Sequence, residues 1–169
     1  MIKRIMVTLL ALVSLQLNNS ALADSNRVYK VSVQAPMKTV YPAVYESLEK
    51  ARFFVVFEPD IGKNLKRFAD KWGENYNKSK LTAIRSMVFC NAWYANSVAN
   101  VDPDMLALCP LRLGMYEKQG VTVILFARPT VIAKQSKAKE ILQELEKEVV
   151  EAIQQGIKDQ SLGYTPVNQ

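Results

Sequence analysis

Apolar side chains along this chain follow two different spacings. Alternation with period two, and short runs rich in β-branched and aromatic residues, predict strands at residues 29–33, 53–58, 83–90, 111–116 and 121–127. The run at 53–58 begins with five successive apolar positions, which predicts a buried strand. Lys118, Gln119 and Gly120 form a turn signal between the last two strands and predict a hairpin.

Helical spacing occupies the segments between these strands. Apolar residues recur at three- and four-residue intervals at residues 40–51, 63–76, 92–100 and 136–157. The order β-α-β-α-β-α-β-β-α indicates an α+β fold, a two-layer sandwich with a mixed or antiparallel sheet. Helices cover the sheet, including a long C-terminal helix. We predict a single domain at residues 24–158, followed by a mobile tail at 159–169.

The segment at residues 63–76 combines basic and aromatic side chains. Phe68, Trp72 and Tyr76 are four residues apart and lie on one helical stripe, and the basic residues lie on a different side. This arrangement predicts an aromatic stripe in the core with a solvated basic back. The alternative is that Trp72 or Tyr76 lines a ligand site. We predict no binding to nucleic acid, because the basic and aromatic side chains are not interleaved.

The first 23 residues have the pattern of a secretory signal peptide. Lys3 and Arg4 precede an apolar run at residues 5–15, and Ala21-Leu22-Ala23 ends it with small residues. We predict cleavage between Ala23 and Asp24 and a periplasmic or secreted mature protein. The apolar run is too short to span a membrane, for which about 20 residues are needed, so we expect no stable membrane anchoring.

Composition excludes several classes of function. The chain contains no histidine, which removes Ser-His and Cys-His catalytic pairs and histidine-ligated metal sites. It also lacks the glycine-rich motifs that hold nucleotide phosphates. Its net charge of +6, which loss of Lys3 and Arg4 would lower to +4, is too small to indicate a nucleic-acid partner. We therefore expect no catalytic residues, no metal and no cofactor, and a non-catalytic role is favoured.

Cys90 and Cys109 are the only cysteines, nineteen positions apart. An oxidising compartment favours a structural disulfide between them. The alternative is a dithiol that works in redox or sulfur chemistry, with Cys90 activated at a helix N-terminus and Cys109 as the resolving thiol. Because a parallel arrangement would place the two cysteines at opposite edges of the sheet, the disulfide requires antiparallel strands or a short sheet.

The residues after Cys90 form a junction between a strand and a helix. Asn91 either caps the helix or contributes to a ligand site, because junctions of this kind bring side chains together at a sheet edge. Trp93 and Tyr94 are neighbours and cannot both face the core, so one of them is expected to line a surface or cleft. Asn91, Trp93, Tyr94, Trp72 and Tyr76 are therefore the candidate ligand-lining residues.

The block at residues 86–133 resembles the family called domain of unknown function 302. The positions that carry the resemblance are Asn91, Pro110, Leu111, Tyr116, Glu117, Gly120 and Pro129. The resemblance extends more weakly over residues 40–157 and implies a compact α+β fold without an assigned activity. We expect an exported binding or accessory domain whose partner is an unidentified small molecule or protein.

Overall fold

The computed structural model describes residues 27–159 and 164–166, so the predicted signal peptide lies outside the described residues. The chain has an α+β fold with one sheet. Its strands are β1 (Val28–Val33), β2 (Phe54–Phe57), β3 (Ala83–Cys90), β4 (Leu111–Lys118), β5 (Val121–Ala127) and β6 (Tyr164–Pro166). The strand order is β2-β3-β4-β5-β1-β6, and every neighbouring pair is antiparallel. The predicted fold class is confirmed.

In the described part of the chain, six α-helices connect or follow the strands. They are α1 (Met37–Lys50), α2 (Ile61–Lys66), α3 (Ala69–Trp72), α4 (Ala92–Val101), α5 (Pro129–Ile132) and α6 (Lys139–Asp159). Two 3₁₀ helices, Gly73–Asn75 and Pro103–Leu108, complete the described connections. The long C-terminal helix is the predicted one, beginning a few residues later than its apolar pattern.

One face of the sheet forms the core. Alternate residues of the central strands point to the helices and are almost completely buried, including Val31, Met87, Leu113, Ile124 and Phe126. Buried side chains of α1, α4 and α6 pack against them in one cluster. This is the outcome that period-two alternation on strands and an apolar stripe on each helix require.

The helices α1 and α6 cross closely at Gly156. A Cβ atom at this position would lie 2.7 Å from the carbonyl oxygen of Ala43. Nearby, the hydroxyl of Ser47 donates to the carbonyl oxygen of Ala152 at 2.7 Å. Gly156 is therefore needed for the close approach of the two backbones, and α6 continues through it to Asp159.

The start of α1 depends on a side chain from β4. Pro36 precedes the helix and provides no side-chain cap. Glu117 replaces the cap, because its Oε2 accepts from the backbone N–H of Met37 at 2.6 Å and its Oε1 from the Thr82 hydroxyl at 3.0 Å. This carboxylate joins the sheet, the first helix and the loop before β3.

The hairpin predicted between the last two strands is confirmed. Lys118 pairs with Val121, and the two-residue turn consists of Gln119 and Gly120, both with positive φ. With positive φ at both residues, the turn has a backbone twist that matches the right-handed twist of the two strands.

The continuous helix predicted at residues 63–76 is wrong. The segment folds instead as α2, α3 and a 3₁₀ turn, none of which contains a buried residue. The aromatic stripe does not enter the core, since Phe68 is 48% exposed and Trp72 is 40% exposed. Their rings stack on each other at the surface, with centroids 5.2 Å apart. The regular aromatic spacing therefore does not correspond to a buried helix face.

The run at residues 53–58 is not a buried strand either. Phe53 is fully buried, but β2 is an edge strand on which Phe54, Val56 and Phe57 are more than half exposed. The register shifts between Val55 and Phe57, so the pairing of β2 with β3 is irregular. The apolar run without alternation therefore belongs to an irregular edge strand and not to a strand buried on both faces.

The region predicted to be a mobile tail falls mostly on residues that the structure does not describe. Within it, residues 164–166 pair with β1, with Thr165 opposite Ser32. The chain therefore returns to the sheet after α6 and adds a strand beside β1.

Candidate functional site

The two cysteines lie side by side where β3 ends and β4 begins. Phe89 and Leu111 are paired partners in the antiparallel ladder, and Cys90 and Cys109 lie just beyond them. Their Sγ atoms are 3.7 Å apart, and both are free thiols with half-buried side chains. The antiparallel arrangement, one of the two alternatives that the disulfide hypothesis required, is present.

A small apolar cavity adjoins the thiols. Its volume is about 20 Å³, comparable to the space needed by one water molecule. The apolar side chains around it include Val98, Met105, Leu108, Leu142 and Leu145. Burial raises the pKa of the Cys109 thiol to about 11, and the neighbouring Cys90 thiol contributes to the rise. No lysine or arginine lines the cavity, so no positive charge there favours a thiolate.

Asn91 is the N-cap of α4, as one of the two sequence hypotheses predicted. Its Oδ1 accepts hydrogen bonds from the backbone N–H groups of Trp93 at 3.0 Å and Tyr94 at 3.3 Å. A thiolate activated at a helix N-terminus would accept hydrogen bonds from amides such as these. The side chain of Asn91 therefore takes two of the donors on which activation of Cys90 would depend.

Trp93 and Tyr94 point to different environments, which confirms the prediction that they cannot both face the core. Tyr94 is 5% exposed and its ring stacks on Phe53 with a centroid distance of 6.1 Å. Burial and a hydrogen bond with Glu148 raise the Tyr94 pKa. Trp93 is 72% exposed and lines an open groove with Arg52 and Phe54. Cys90, Cys109, Asn91, Trp93 and Tyr94 thus gather at one junction.

Trp72 and Tyr76 lie at the other end of β3. They line a surface cleft of about 610 Å³ formed by α2, the residues that follow α3, and the first residues of β3. The eight residues from Ala83 to Cys90 place this cleft about 20 Å from the cysteines at the rise of an extended strand. The candidate ligand-lining residues therefore divide into two separate places.

Sequence reasoning missed Arg85. This residue occupies a helix-facing position of β3, and its guanidinium carbon lies 3.8 Å from the centroid of the Tyr41 ring. Glu58 forms an ion pair with it at 3.9 Å. A charged residue at an inward position of an otherwise apolar strand was the signal that could have identified it.

The described residues contain neither a metal-binding cluster nor a membrane-spanning helix. No three acidic, cysteine or histidine side chains in that part of the chain are grouped so that they could hold a metal ion. None of its helices combines the length and apolar character needed to cross a membrane.

Comparison with known proteins gives a family and a fold. Residues 29–156 match the family described as domain of unknown function DUF302. A similar solved structure is the crystal structure of an uncharacterized conserved protein DUF302 from Bacillus stearothermophilus, with 22% identity and a TM-score of 0.66. The match covers 78% of this chain and 98% of that one. No curated protein matches the chain.

Proposed function

We propose that this chain, which belongs to the DUF302 family, a domain of unknown function, is an exported, non-catalytic binding or accessory domain. In this proposal Cys90 and Cys109 form a structural disulfide. The leader pattern of residues 1–23 supports export, and an exported protein meets conditions in which paired thiols become oxidised.

The observation that carries the proposal is the 3.7 Å separation of the two Sγ atoms at the ends of antiparallel strands. A disulfide needs a sulfur separation of about 2.05 Å, so the side chains must approach by less than about 2 Å. The bond would fix the start of α4 and the 3₁₀ helix Pro103–Leu108 against the sheet edge. It closes a loop of about 20 residues and would stabilise the fold by about 3 kcal/mol.

A thiol-based redox or sulfur-handling protein is the second candidate, since two thiols this close can open and close reversibly. The surroundings of the thiols argue against it. Reactive cysteines have a lowered pKa next to positive charge or unpaired helix amides. Here no lysine or arginine lines the cavity beside the thiols, and Asn91 already accepts from the amides of Trp93 and Tyr94. The contacts therefore favour a bond that stays closed over one that reacts.

The test is thiol titration and intact mass of the protein recovered from a periplasmic fraction without reductant. We expect a chain beginning at Asp24 with no free thiol after denaturation. Reduction should then lower the melting temperature by several degrees, as about 3 kcal/mol does in a domain of this size. The Cys90→Ser/Cys109→Ser variant is the control, because reductant should leave its melting temperature unchanged.

Two results would contradict the proposal. A periplasmic protein that retains residues 1–23 would remove the argument for export by a cleaved leader. Two free thiols, with one reacting at neutral pH far faster than a model cysteine, would favour the redox candidate and make Cys90 the candidate nucleophile.

A further inference from the structure

The cleft at the start of β3 has the size of a small-molecule site. Its volume of about 610 Å³ lies within the range of roughly 300–1,000 Å³ that such sites occupy. Its wall combines aromatic side chains with basic ones, which are Trp72, Tyr76, Lys63, Lys66, Lys78 and Arg85. This combination is absent from the small cavity beside the cysteines, whose lining is mostly apolar.

The cleft is positively charged, and its three lysines are not neutralised by neighbours. Lys63, Lys66 and Lys78 form no ion pair with any residue that the structure describes. Asp60 is the one acidic residue in the lining, and its Oδ1 already accepts from the backbone N–H of Lys63 at 2.8 Å. Three ammonium groups around one concave surface favour an anion that brings its own charge.

The aromatic side chains add a flat apolar contact. Trp72 is 40% exposed, and the stacked ring of Phe68 holds it in place with an interplanar angle of 22°. A large indole exposed to water gains contact area when a planar group covers it. The cleft therefore presents a ring surface and positive charge to the same ligand.

The far wall of the cleft is fixed before any ligand arrives. The side chain of Asn77 donates to the carbonyl oxygen of Leu81 and accepts from its backbone N–H, both at 2.9 Å. Asn77 and Lys80 also have positive φ angles of 45° and 55°. Non-glycine residues adopt this conformation when surrounding contacts impose it, and they are concentrated at binding sites. A pre-formed wall lowers the entropy lost on binding.

We propose that this cleft binds a small planar organic anion. The ring of the ligand packs on Trp72 and Tyr76, and its carboxylate or comparable group lies among Lys63, Lys66 and Lys78. The proposal rests on the binding role proposed above and gives it a ligand class. It does not depend on the disulfide, because the cysteines lie about 20 Å away along β3.

The two tryptophans of the chain allow a direct test, because Trp93 lies outside the cleft and serves as an internal reference. The indole N–H signals in a ¹H–¹⁵N NMR spectrum are assigned with a Trp93→Phe variant. The probes are 2-naphthoate, its neutral analogue 2-naphthylmethanol, and cyclohexanecarboxylate as a non-planar anion of the same charge. We expect a saturable shift of the Trp72 signal with 2-naphthoate, no shift at Trp93, and affinity about tenfold lower for each comparison compound.

Charge reversal tests the basic side chains. Lys63→Glu/Lys66→Glu should weaken 2-naphthoate binding by about tenfold or more, since attraction becomes repulsion. Lys137→Glu/Lys147→Glu, which changes two exposed lysines outside the cleft, should leave the affinity unchanged. A dispersed spectrum for both variants verifies that they remain folded.

Several outcomes would overturn the proposal. These are equal shifts at Trp72 and Trp93, no saturation, or binding of 2-naphthylmethanol as tight as that of 2-naphthoate. A single-stranded oligonucleotide that binds more tightly through the same Trp72 signal would identify a nucleic-acid site instead. Titrating the oxidised and the reduced protein with 2-naphthoate in parallel separates this proposal from the disulfide proposal. Equal affinities of the two forms would support the cleft proposal whether or not the thiol titration finds a disulfide.

Discussion

Asn91 starts α4 with a side-chain cap, and the loss of that cap is measurable. Asn91→Ala removes the oxygen that accepts from the amides of Trp93 and Tyr94. We expect the free energy of unfolding to fall by about 1 kcal/mol, the typical cost of losing such a cap. Asn91→Asp keeps an acceptor at the same position and should restore most of the stability. Urea unfolding of the three proteins checks this, and equal losses in both variants would contradict capping.

Cys109 makes the stability of the reduced protein depend on pH. Its pKa rises from 9.0 to about 11 in the folded state, so folding favours the neutral thiol. The associated stability is complete below pH 9.0 and is lost as the pH rises toward about 11. We expect the stability difference between the reduced protein and Cys109→Ala to shrink over that interval.

Denaturant unfolding of both proteins at several alkaline pH values measures this difference. Tyr41 and Tyr94 also have raised pKa values, but they are present in both proteins and cancel. A difference that stays constant with pH would contradict the assigned cause.

At the scale of single residues, local chemistry was predictable and long-range partners were not. Asn91 as a cap, and the divergence of Trp93 and Tyr94, follow from neighbours in the sequence. Arg85 meets Tyr41 and Glu58 through the packing of α1 and the edge of the sheet, which no spacing pattern encodes. The closeness of Cys90 and Cys109 depended on strand direction, which the sequence left open.

The crossing of α1 and α6 depends on the absence of a side chain at Gly156. Gly156→Ala places a Cβ atom 2.7 Å from a carbonyl oxygen of α1, so the helices must separate. Alanine favours a helix by about 1 kcal/mol over glycine, but overpacking costs about 1–3 kcal/mol, and we expect a net loss of stability.

Gly114→Ala is the matched control for this crossing. Gly114 lies in the middle of β4, and a Cβ atom there would have no neighbour within 4 Å. The same substitution should leave stability unchanged or slightly raise it. Thermal unfolding compares the two variants, and an equal loss in both would mean that the helix crossing is not the cause.

Element prediction was reliable where a repeating pattern met the core, and it failed at the periphery. The α6 stripe and the β4–β5 hairpin follow from periodicity and turn chemistry. The segment at residues 63–76 has an equally regular aromatic spacing, yet Phe68 and Trp72 remain exposed, and the segment breaks into short turns. Periodicity reports which face could be buried and does not report whether anything covers it.

The described structure divides into a densely packed core of sheet and helices and a lightly packed surface segment at residues 61–75. The central strands contribute many buried residues, whereas α2, α3 and the following 3₁₀ turn contribute none. We expect amides of this surface segment to exchange with solvent through local opening of low free energy. Amides of β4 should exchange only through opening whose free energy is close to that of global unfolding. Native-state hydrogen exchange measures both, and equal protection of the two segments would contradict this expectation.

The position of β1 determines when the sheet can be completed. This strand is the earliest in the chain, yet its ladder partner is β5, where Val31 lies opposite Ile124. During synthesis from the N-terminus, the antiparallel pairs β2–β3, β3–β4 and β4–β5 become available before β1 can pair with β5. Contacts between residues so far apart in sequence are slow to form. We therefore expect the nascent chain to reach its native state only after nearly the whole domain has been made.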